Sequence, residues 1–175
     1  CLSDWSSDVC SSDLDYITYI YDVMGVASQH VFIVLTKRPE RIYSVLYGEE
    51  GRWYYGGGDY LPNVWHMVTV ENQEMADRRI PELLKLREAS PGWPVLGVSV
   101  EPMLGPVDLW PYLGQVTGCQ VHCPGFDRGR KSIDWVICGG ETGPGARPMH
   151  PDWVWSLRDQ CQSVGVPFLF YLRCS

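Results

Sequence analysis

Long hydrophobic runs are missing from the sequence: no uninterrupted apolar stretch approaches the roughly 18 residues that a membrane-spanning helix requires. Basic residues are scarce, since 14 Lys and Arg stand against 21 Asp and Glu, and the net charge of −7 disfavours a broad grip on DNA phosphates. The seven cysteines are an odd number, which argues against a closed disulfide framework and favours a reducing cytoplasm. What is present, 175 residues of which 45% are hydrophobic and 20% charged, predicts one globular domain.

The first 14 residues, CLSDWSSDVCSSDL, differ from the rest of the chain. They contain no Lys or Arg and no apolar centre, so they do not have the pattern of a signal peptide. Asp4 to Leu14 resembles one translated frame of a sequencing-library adapter; the alternative is a flexible acidic arm. We therefore expect residues 1–14 to be a non-native, disordered leader, with the gene entered partway and a single domain over residues 15–175. Without the three aspartates of this leader the net charge rises from −7 to −4.

The hydrophobic patterns of the remaining chain predict alternating strands and helices. Continuous apolar runs are typical of parallel strands covered on both faces, and apolar residues at helical spacing predict helices. Pro81 lies inside one helical pattern and predicts a break or kink there. The predicted strands are residues 31–36, 64–70, 94–100, 133–138 and 166–171; the predicted helices are 39–48, 71–89 and 151–164; the predicted loop insertions are 48–62 and 115–131.

This alternation predicts an α/β fold with parallel strands. No glycine-rich phosphate-binding fingerprint follows the first strand, so a dinucleotide-binding fold is disfavoured. A closed barrel of eight strand–helix units takes about 250 residues, and this chain is shorter. We therefore expect a partial (β/α) TIM-type barrel that lacks its first unit or units.

Charged and polar residues follow four of the five predicted strands. Ligands bind at the carboxyl ends of parallel strands, so these residues are expected to share one rim. Mixed carboxylates and cations there suit a zwitterionic or phosphorylated small molecule. Each residue also has a structural alternative, as a solvated cation, a charge at a helix start or a turn residue. The candidate ligand-binding residues are Thr36, Lys37, Arg38, Glu71, Asn72, Glu101, Gly139, Gly140, Glu141 and Arg147.

Several long motifs carry a family resemblance. LTKRPERI at 35–42, VSVEPMLGPVDL at 98–109 and GGETGPGARP at 139–148 occur in this order. With the segments around them they resemble a phage-associated bacterial family of unknown function, whose members begin with a three-cysteine motif and are similar to radical S-adenosylmethionine (SAM) barrels. The resemblance covers nearly all of residues 29–170. Its motifs identify the family and do not specify a reaction.

The resemblance implies two cofactors for full-length members. Three cysteines would hold a 4Fe–4S cluster, because iron–sulfur clusters are held by thiolates, and the cluster would bind SAM. That region is expected to be missing here, which would leave this chain as the SAM- and substrate-cavity part of the barrel, without its cluster and inactive. The rim residues would line the cavity, and Glu141 would pair with an ammonium group. The GGE of such enzymes follows an early strand, whereas this GGE follows the fourth predicted strand, so its role does not transfer directly.

The cysteines of the chain itself offer only a weak metal site. Cys119, His122 and Cys123 could contribute three zinc ligands, but a fourth ligand is not evident nearby. The alternatives are a reduced pair or a surface disulfide. Cys138 and Cys161 are predicted to be buried as small hydrophobic residues.

Two other functions remain open beside the radical SAM-like one. Trp53, Tyr54 and Tyr55 beside Arg52 offer stacking surfaces for a nucleic-acid-associated repair or modification factor, although the acidic balance opposes it. The third possibility is a non-catalytic barrel that binds a partner. A hydrolase is disfavoured because the GxSxG nucleophile motif is absent. Of the histidines, we expect His66 in the core and His150 at a helix start.

Overall fold

The computed structural model describes residues 11–47, 61–89, 94–114 and 132–171, and these contain five strands and four α-helices. All five predicted strands and all three predicted helices are confirmed, with ends that shift by up to two residues. The elements are α1 Ser11–Val26, β1 Phe32–Thr36, α2 Pro39–Tyr47, β2 Val64–Thr69, α3 Gln73–Ala89, β3 Leu96–Val100, β4 Trp135–Gly139, α4 Pro151–Ser163 and β5 Phe168–Tyr171, with a short 3₁₀ turn at Trp110–Tyr112.

The five strands form one parallel sheet in the order β1-β2-β3-β4-β5. Each strand therefore pairs with the next one along the chain, which is the order of successive units in a (β/α) barrel. A doubly wound sheet would instead reverse its strand order at a switch point. The α/β class and the parallel sheet are confirmed, and the sheet that the structure describes is open between β1 and β5.

Helices α3 and α4 cover one face of this sheet and form the main core with it. Val68, Val98 and Val136 are fully buried on that face, and Ile80 and Leu157 are the fully buried helix residues opposite them. Burying apolar side chains of this size is the main favourable term in folding, at about 2 kcal/mol each. The packing of α3 and α4 against this face therefore stabilises the sheet.

The opposite face of the sheet, called the inner face here, is buried at its centre and open at its edges. Met67 and Ser99 are 1% and 2% exposed, whereas Ile33 of β1 is 50% and Leu169 of β5 is 51% exposed. Successive side chains of a strand alternate between faces, so this set is the one that the helices do not cover.

Helix α3 runs without interruption through Pro81, so of the predicted break or kink the break is wrong. Proline removes one backbone donor and leaves the carbonyl four residues earlier, that of Asp77, without its helical partner. Both residues lie on the exposed side of α3, where water can satisfy that carbonyl.

Helix α1 was not predicted, because its first residues belong to the segment assigned to the leader. It begins at Ser11, so residues 11–14 are helical, and residues 1–10 lie outside the described residues. Tyr21 and Met24 pack against Val64, and the Asn63 amide donates to the carbonyl oxygen of Met24 at 2.8 Å. Of the predicted insertions, residues 48–60 and 115–131 also lie outside the described part. Among the described helices, none combines the length and the hydrophobicity needed to cross a bilayer.

Candidate ligand site at the carboxyl edge of the inner face

The strand register arranges the inner-face residues in layers from the amino ends to the carboxyl ends of the strands. Continuing the β3–β4 register by one position brings Glu101 level with Gly139, and continuing the β2–β3 register by two positions brings Glu71 level with Glu101. Gly139 pairs with Tyr171 of β5. The lower layer is Leu35, Met67, Gly97 and Trp135; the middle one is Thr69, Ser99, Ile137 and Leu169, with Lys37 one position beyond the last β1 pair; and the top one is Glu71, Glu101, Gly139 and Tyr171.

The lower layers are apolar and closely packed. The rings of Trp65 and Trp135 meet edge to face, with centroids 5.6 Å apart and planes at 80°. The Trp135 indole lies directly over Gly97, where an added Cβ would come within 2.4 Å of Nε1. Any side chain at Gly97 would therefore displace the indole, and this region is structural.

Glu71 sits between two cations at the carboxyl end of β2. Lys37 Nζ is 2.5 Å from its Oε1, and Arg79 Nη1 is 2.7 Å from its Oε2 and from the carbonyl oxygen of Thr69. Burial acts to raise the pKa of Glu71, but the Lys37 hydrogen bond and the charges of Arg79 and Lys37 outweigh it and lower the pKa. The cluster carries two positive charges and one negative charge, so it is cationic overall.

Arg79 was missed by the sequence reasoning. It lies on α3, eight residues after Glu71, and reaches over the end of β2 from the helical layer. A cation two turns into the following helix is a common sequence feature, so only the folded geometry reveals this pairing.

Glu101 occupies the corresponding position after β3 and has a different environment. Ser99 Oγ donates to its Oε2 at 3.1 Å, while its Oε1 is buried and has no hydrogen-bond partner in the described part of the chain. The carboxylate lies against Gly139, where an added Cβ would come within 2.6 Å of Oε1. A buried carboxylate oxygen without a donor is costly, so this is the atom of the rim that most lacks a partner. Ser99 was also missed, although its alternation with Glu101 along the strand was a usable signal.

The backbone after β3 ties the two carboxylates into one edge. The Glu101–Pro102 peptide bond is cis, the Met103 amide donates to the Gly139 carbonyl oxygen at 3.0 Å, and the Leu104 amide donates to the Glu71 carbonyl oxygen at 2.8 Å. Residues 102–104 therefore bridge the ends of β2 and β4.

Glu141 and Arg147 are paired with each other within their loop. The Arg147 guanidinium donates to both carboxylate oxygens of Glu141, at 2.7 and 2.8 Å, and the Arg147 backbone amide donates at 2.8 Å. These hydrogen bonds lower the pKa of Glu141 to about 2. Gly143 and Gly145, with φ of 102° and 78°, supply the left-handed turns that let the loop close. Each charge of the pair is thus neutralised by the other within the loop.

The other rim candidates support local backbone or remain near the edge. Thr36 Oγ1 accepts from the Arg38 amide at 3.0 Å, which shapes the turn into α2. Asn72 Oδ1 accepts from the Met75 amide at 3.0 Å and so caps the start of α3. At Gly140 the nearest atom to an added Cβ is Met149 Cε at 3.7 Å, so that glycine does not make a close contact.

The described residues contain no cluster of three His, Cys, Asp or Glu side chains able to hold a metal ion. Cys138 and Cys161 are free and fully buried, as predicted, and burial raises the pKa of each thiol to about 12. Such thiols do not form the thiolates that metal binding requires. The weak zinc candidates Cys119, His122 and Cys123, and the aromatic segment around Trp53, lie outside the described residues.

Two histidine predictions are confirmed. His66 is 5% exposed, with Nε2 3.1 Å from the Tyr21 hydroxyl, and burial lowers its pKa to about 4. His150 precedes α4, and its Nδ1 accepts from the Asp152 amide at 3.2 Å. Neither histidine belongs to the carboxyl edge.

Comparison with known proteins identifies the family and leaves the activity open. No curated protein and no solved structure matches the chain. A family model described as "Protein of unknown function (DUF5131)" matches residues 1–172. The chain therefore belongs to the DUF5131 family.

Proposed function

We propose that this chain forms the ligand-binding later part of a radical SAM-like (β/α) barrel and holds SAM, or a molecule like it, at the carboxyl edge of the inner face. The observation that carries the proposal is Glu101 Oε1, a buried carboxylate oxygen beside Gly139 that receives no hydrogen bond from any described residue. A ligand that supplies a cation or a hydrogen-bond donor would satisfy this oxygen.

The strand order supports the barrel part of the proposal. Sequential parallel strands with helices on one face are arranged like five consecutive strands of a (β/α) barrel, in which the carboxyl edge holds the active site. The inner face also changes from packed aromatics at Trp65 and Trp135 to charged residues at its carboxyl edge. This gradient is typical of a barrel whose lower part is structural and whose upper part binds ligand.

The charges of the edge fit the functional groups of SAM. Glu101 can accept from an ammonium, hydroxyl or amine group, and the cationic cluster of Lys37, Arg79 and Glu71 can attract a carboxylate. Glu141 and Arg147 satisfy each other, so they are proposed to shape the loop beside the ligand instead of contacting it.

The iron–sulfur cluster does not fit the described residues. Cys138 and Cys161 lie in the hydrophobic core, and burial raises the pKa of both thiols, so they are not available as thiolate ligands. We therefore propose SAM cleavage chemistry only for relatives that carry the three-cysteine loop, and ligand binding for this chain.

Calorimetric titration of the full chain with SAM tests the proposal. We expect saturable binding that weakens at least fivefold in Glu101→Gln, because a neutral amide loses the charge-assisted contact. Glu141→Gln is the matched control, since it changes the same residue type at the same edge but at a carboxylate already paired with Arg147. Absence of SAM binding, or equal losses in the two variants, would contradict the proposal.

A further inference from the structure

We propose that two copies of this chain associate about a two-fold axis, through the outer edge of β1 and an exposed apolar side of α1. The inference goes beyond the proposed ligand site and does not depend on it, because the two surfaces share no residue. Three observations carry it: the exposed side of α1, the open edge of β1, and the area that the two offer together.

Helix α1 is apolar on two sides. Ile17, Tyr21 and Met24 face the sheet and pack around Val64. A second set of apolar side chains lies about a third of a turn round the helix and is exposed to solvent, each residue being between 37% and 87% accessible. This α1 stripe consists of Tyr16, Tyr19, Ile20, Val23 and Val26. A helix that is apolar on more than one side is typically buried on each, so the stripe predicts a partner.

The edge of β1 lies at the same end of the sheet as α1. Helix α1 contacts α2, and α2 contacts α3, so α1 is the outermost of the described helices on the β1 side. The Phe32 amide donates to the Asn63 carbonyl oxygen, so the backbone groups of Phe32 point toward β2 and those of Ile33 and Leu35 point outward. The side chains of Ile33 and Leu35 are also exposed. In the described sheet, this edge therefore offers donors, acceptors and apolar side chains to another strand.

An antiparallel pairing of two β1 strands would use these groups in both copies. Ile33 of one copy would form a hydrogen-bonded pair with Leu35 of the other, and Val34 would lie on the two-fold axis, opposite Val34 of the second copy. The two Lys37 side chains would lie three positions from the axis in opposite directions, about 20 Å apart. This register therefore brings no like charges together.

The exposed area is sufficient for a dimer. With Val31, Ile33 and Leu35, the α1 stripe exposes roughly 900 Å² in each copy, and each partner in a standard interface buries about 800 Å². None of these residues is charged, so the surface can lie against itself without electrostatic repulsion. A partner selected by charge would find no group to pair with there, which favours a second copy of the chain.

Sedimentation velocity of the full chain tests the inference, and we expect a species with twice the mass of one chain. Leu35→Lys should raise the dissociation constant at least tenfold, because it places a charge at the centre of the interface. Val23→Glu should do the same from α1. Leu169→Lys is the matched control, since Leu35 and Leu169 are each 51% exposed on the inner face but belong to opposite edge strands. Circular dichroism checks that all three variants remain folded.

Val34→Cys tests the register. Residues opposite each other in a pair without hydrogen bonds have Cα atoms about 4.5 Å apart, a distance that a disulfide can span. Mild oxidation should therefore cross-link this variant into dimers to a greater extent than the wild type. A monomeric chain, or an aggregate of indefinite size, would overturn the inference, because a two-fold interface closes at two copies. Equal weakening by Leu35→Lys and Leu169→Lys, or a dimer that Val34→Cys does not cross-link, would also overturn it.

Discussion

Glu71 and Glu101 follow neighbouring strands at the same level of the sheet, yet their surroundings are opposite. Glu71 is held by Lys37 and Arg79, so both its oxygens have cationic partners. Among the residues that the structure describes, Glu101 receives one hydrogen bond, from Ser99, and its other oxygen is buried against Gly139 without a donor. Identical residue types at equivalent strand ends can therefore differ in their pairing, and the proposal assigns ligand binding to the carboxylate that has fewer partners among the described residues.

The largest effect is expected at Glu71. Glu71→Gln leaves Arg79, whose side chain is only 15% exposed, without its charged partner, and should lower the free energy of unfolding by about 3 kcal/mol. Urea denaturation measures it. Glu101→Gln is the comparison, and there we expect no loss or a small gain, because the change removes a charge from a poorly solvated position. Equal losses at the two positions would erase the distinction drawn between them.

Gly97 in the lower layer and Gly139 in the top layer are both closely packed, and their replacement tests whether the lower layer is structural and the top layer binds ligand. Gly97→Ala forces the large, ring-packed Trp135 to move and should cost about 2 kcal/mol of unfolding free energy. Gly139→Ala meets only the flexible end of Glu101, so it should cost less than about 1 kcal/mol while weakening ligand binding. Thermal unfolding and ligand titration of both variants separate the outcomes. A larger stability loss for Gly139→Ala than for Gly97→Ala would contradict the assignment of the lower layer as the structural one.

The pH dependence of stability should carry a contribution from Glu71. Its folded-state pKa lies below the ordinary value of 4.5 for a glutamate, so folding favours its charged form. This stabilisation is fully present above pH 4.5 and is lost as the pH falls through the lower, folded-state pKa. Urea denaturation from pH 7 to pH 3 should show a steeper loss in the wild type than in Glu71→Gln. If the free energy of unfolding falls with pH equally in the two proteins, Glu71 does not contribute to the acid sensitivity.

The smallest effect is expected at the third carboxylate, Glu141. Its pair with Arg147 is largely exposed to solvent, and exposed ion pairs contribute little to stability. Glu141→Gln should leave the melting temperature at pH 7 unchanged in a calorimetric scan. A marked fall in the melting temperature would show that the loop supports the sheet, in contrast to the role given to it here.

The sequence predicts the strands well because β2 and β3 are short, mostly apolar runs rich in valine, which is typical of strands buried on both faces. It does not predict α1, whose first residues were assigned to a leader, or the unbroken course of α3 through Pro81. The rule that an interior proline breaks a helix fails here because Pro81 and Asp77 lie on the exposed side of α3, where water can replace the lost hydrogen bond.

The candidate site could be predicted from the sequence only in part. The rule that ligands gather at carboxyl strand ends points to Glu71, Glu101 and Glu141 together. It cannot say which of them is already neutralised, because the partners Arg79 and Arg147 are selected by the fold. The distinction between a paired and an unpaired carboxylate is therefore a property of the structure.

The most direct test of the central claim measures ligand affinity and unfolding free energy together in Glu101→Gln. If Glu101 binds a ligand at a cost to stability, its replacement should weaken ligand binding and leave the free energy of unfolding equal or higher. We expect SAM binding at least fivefold weaker than in the wild type, with an unfolding free energy that is equal or higher. Unchanged binding together with a clear loss of stability would show that Glu101 is a structural residue like Glu71, and would contradict a ligand site at this edge.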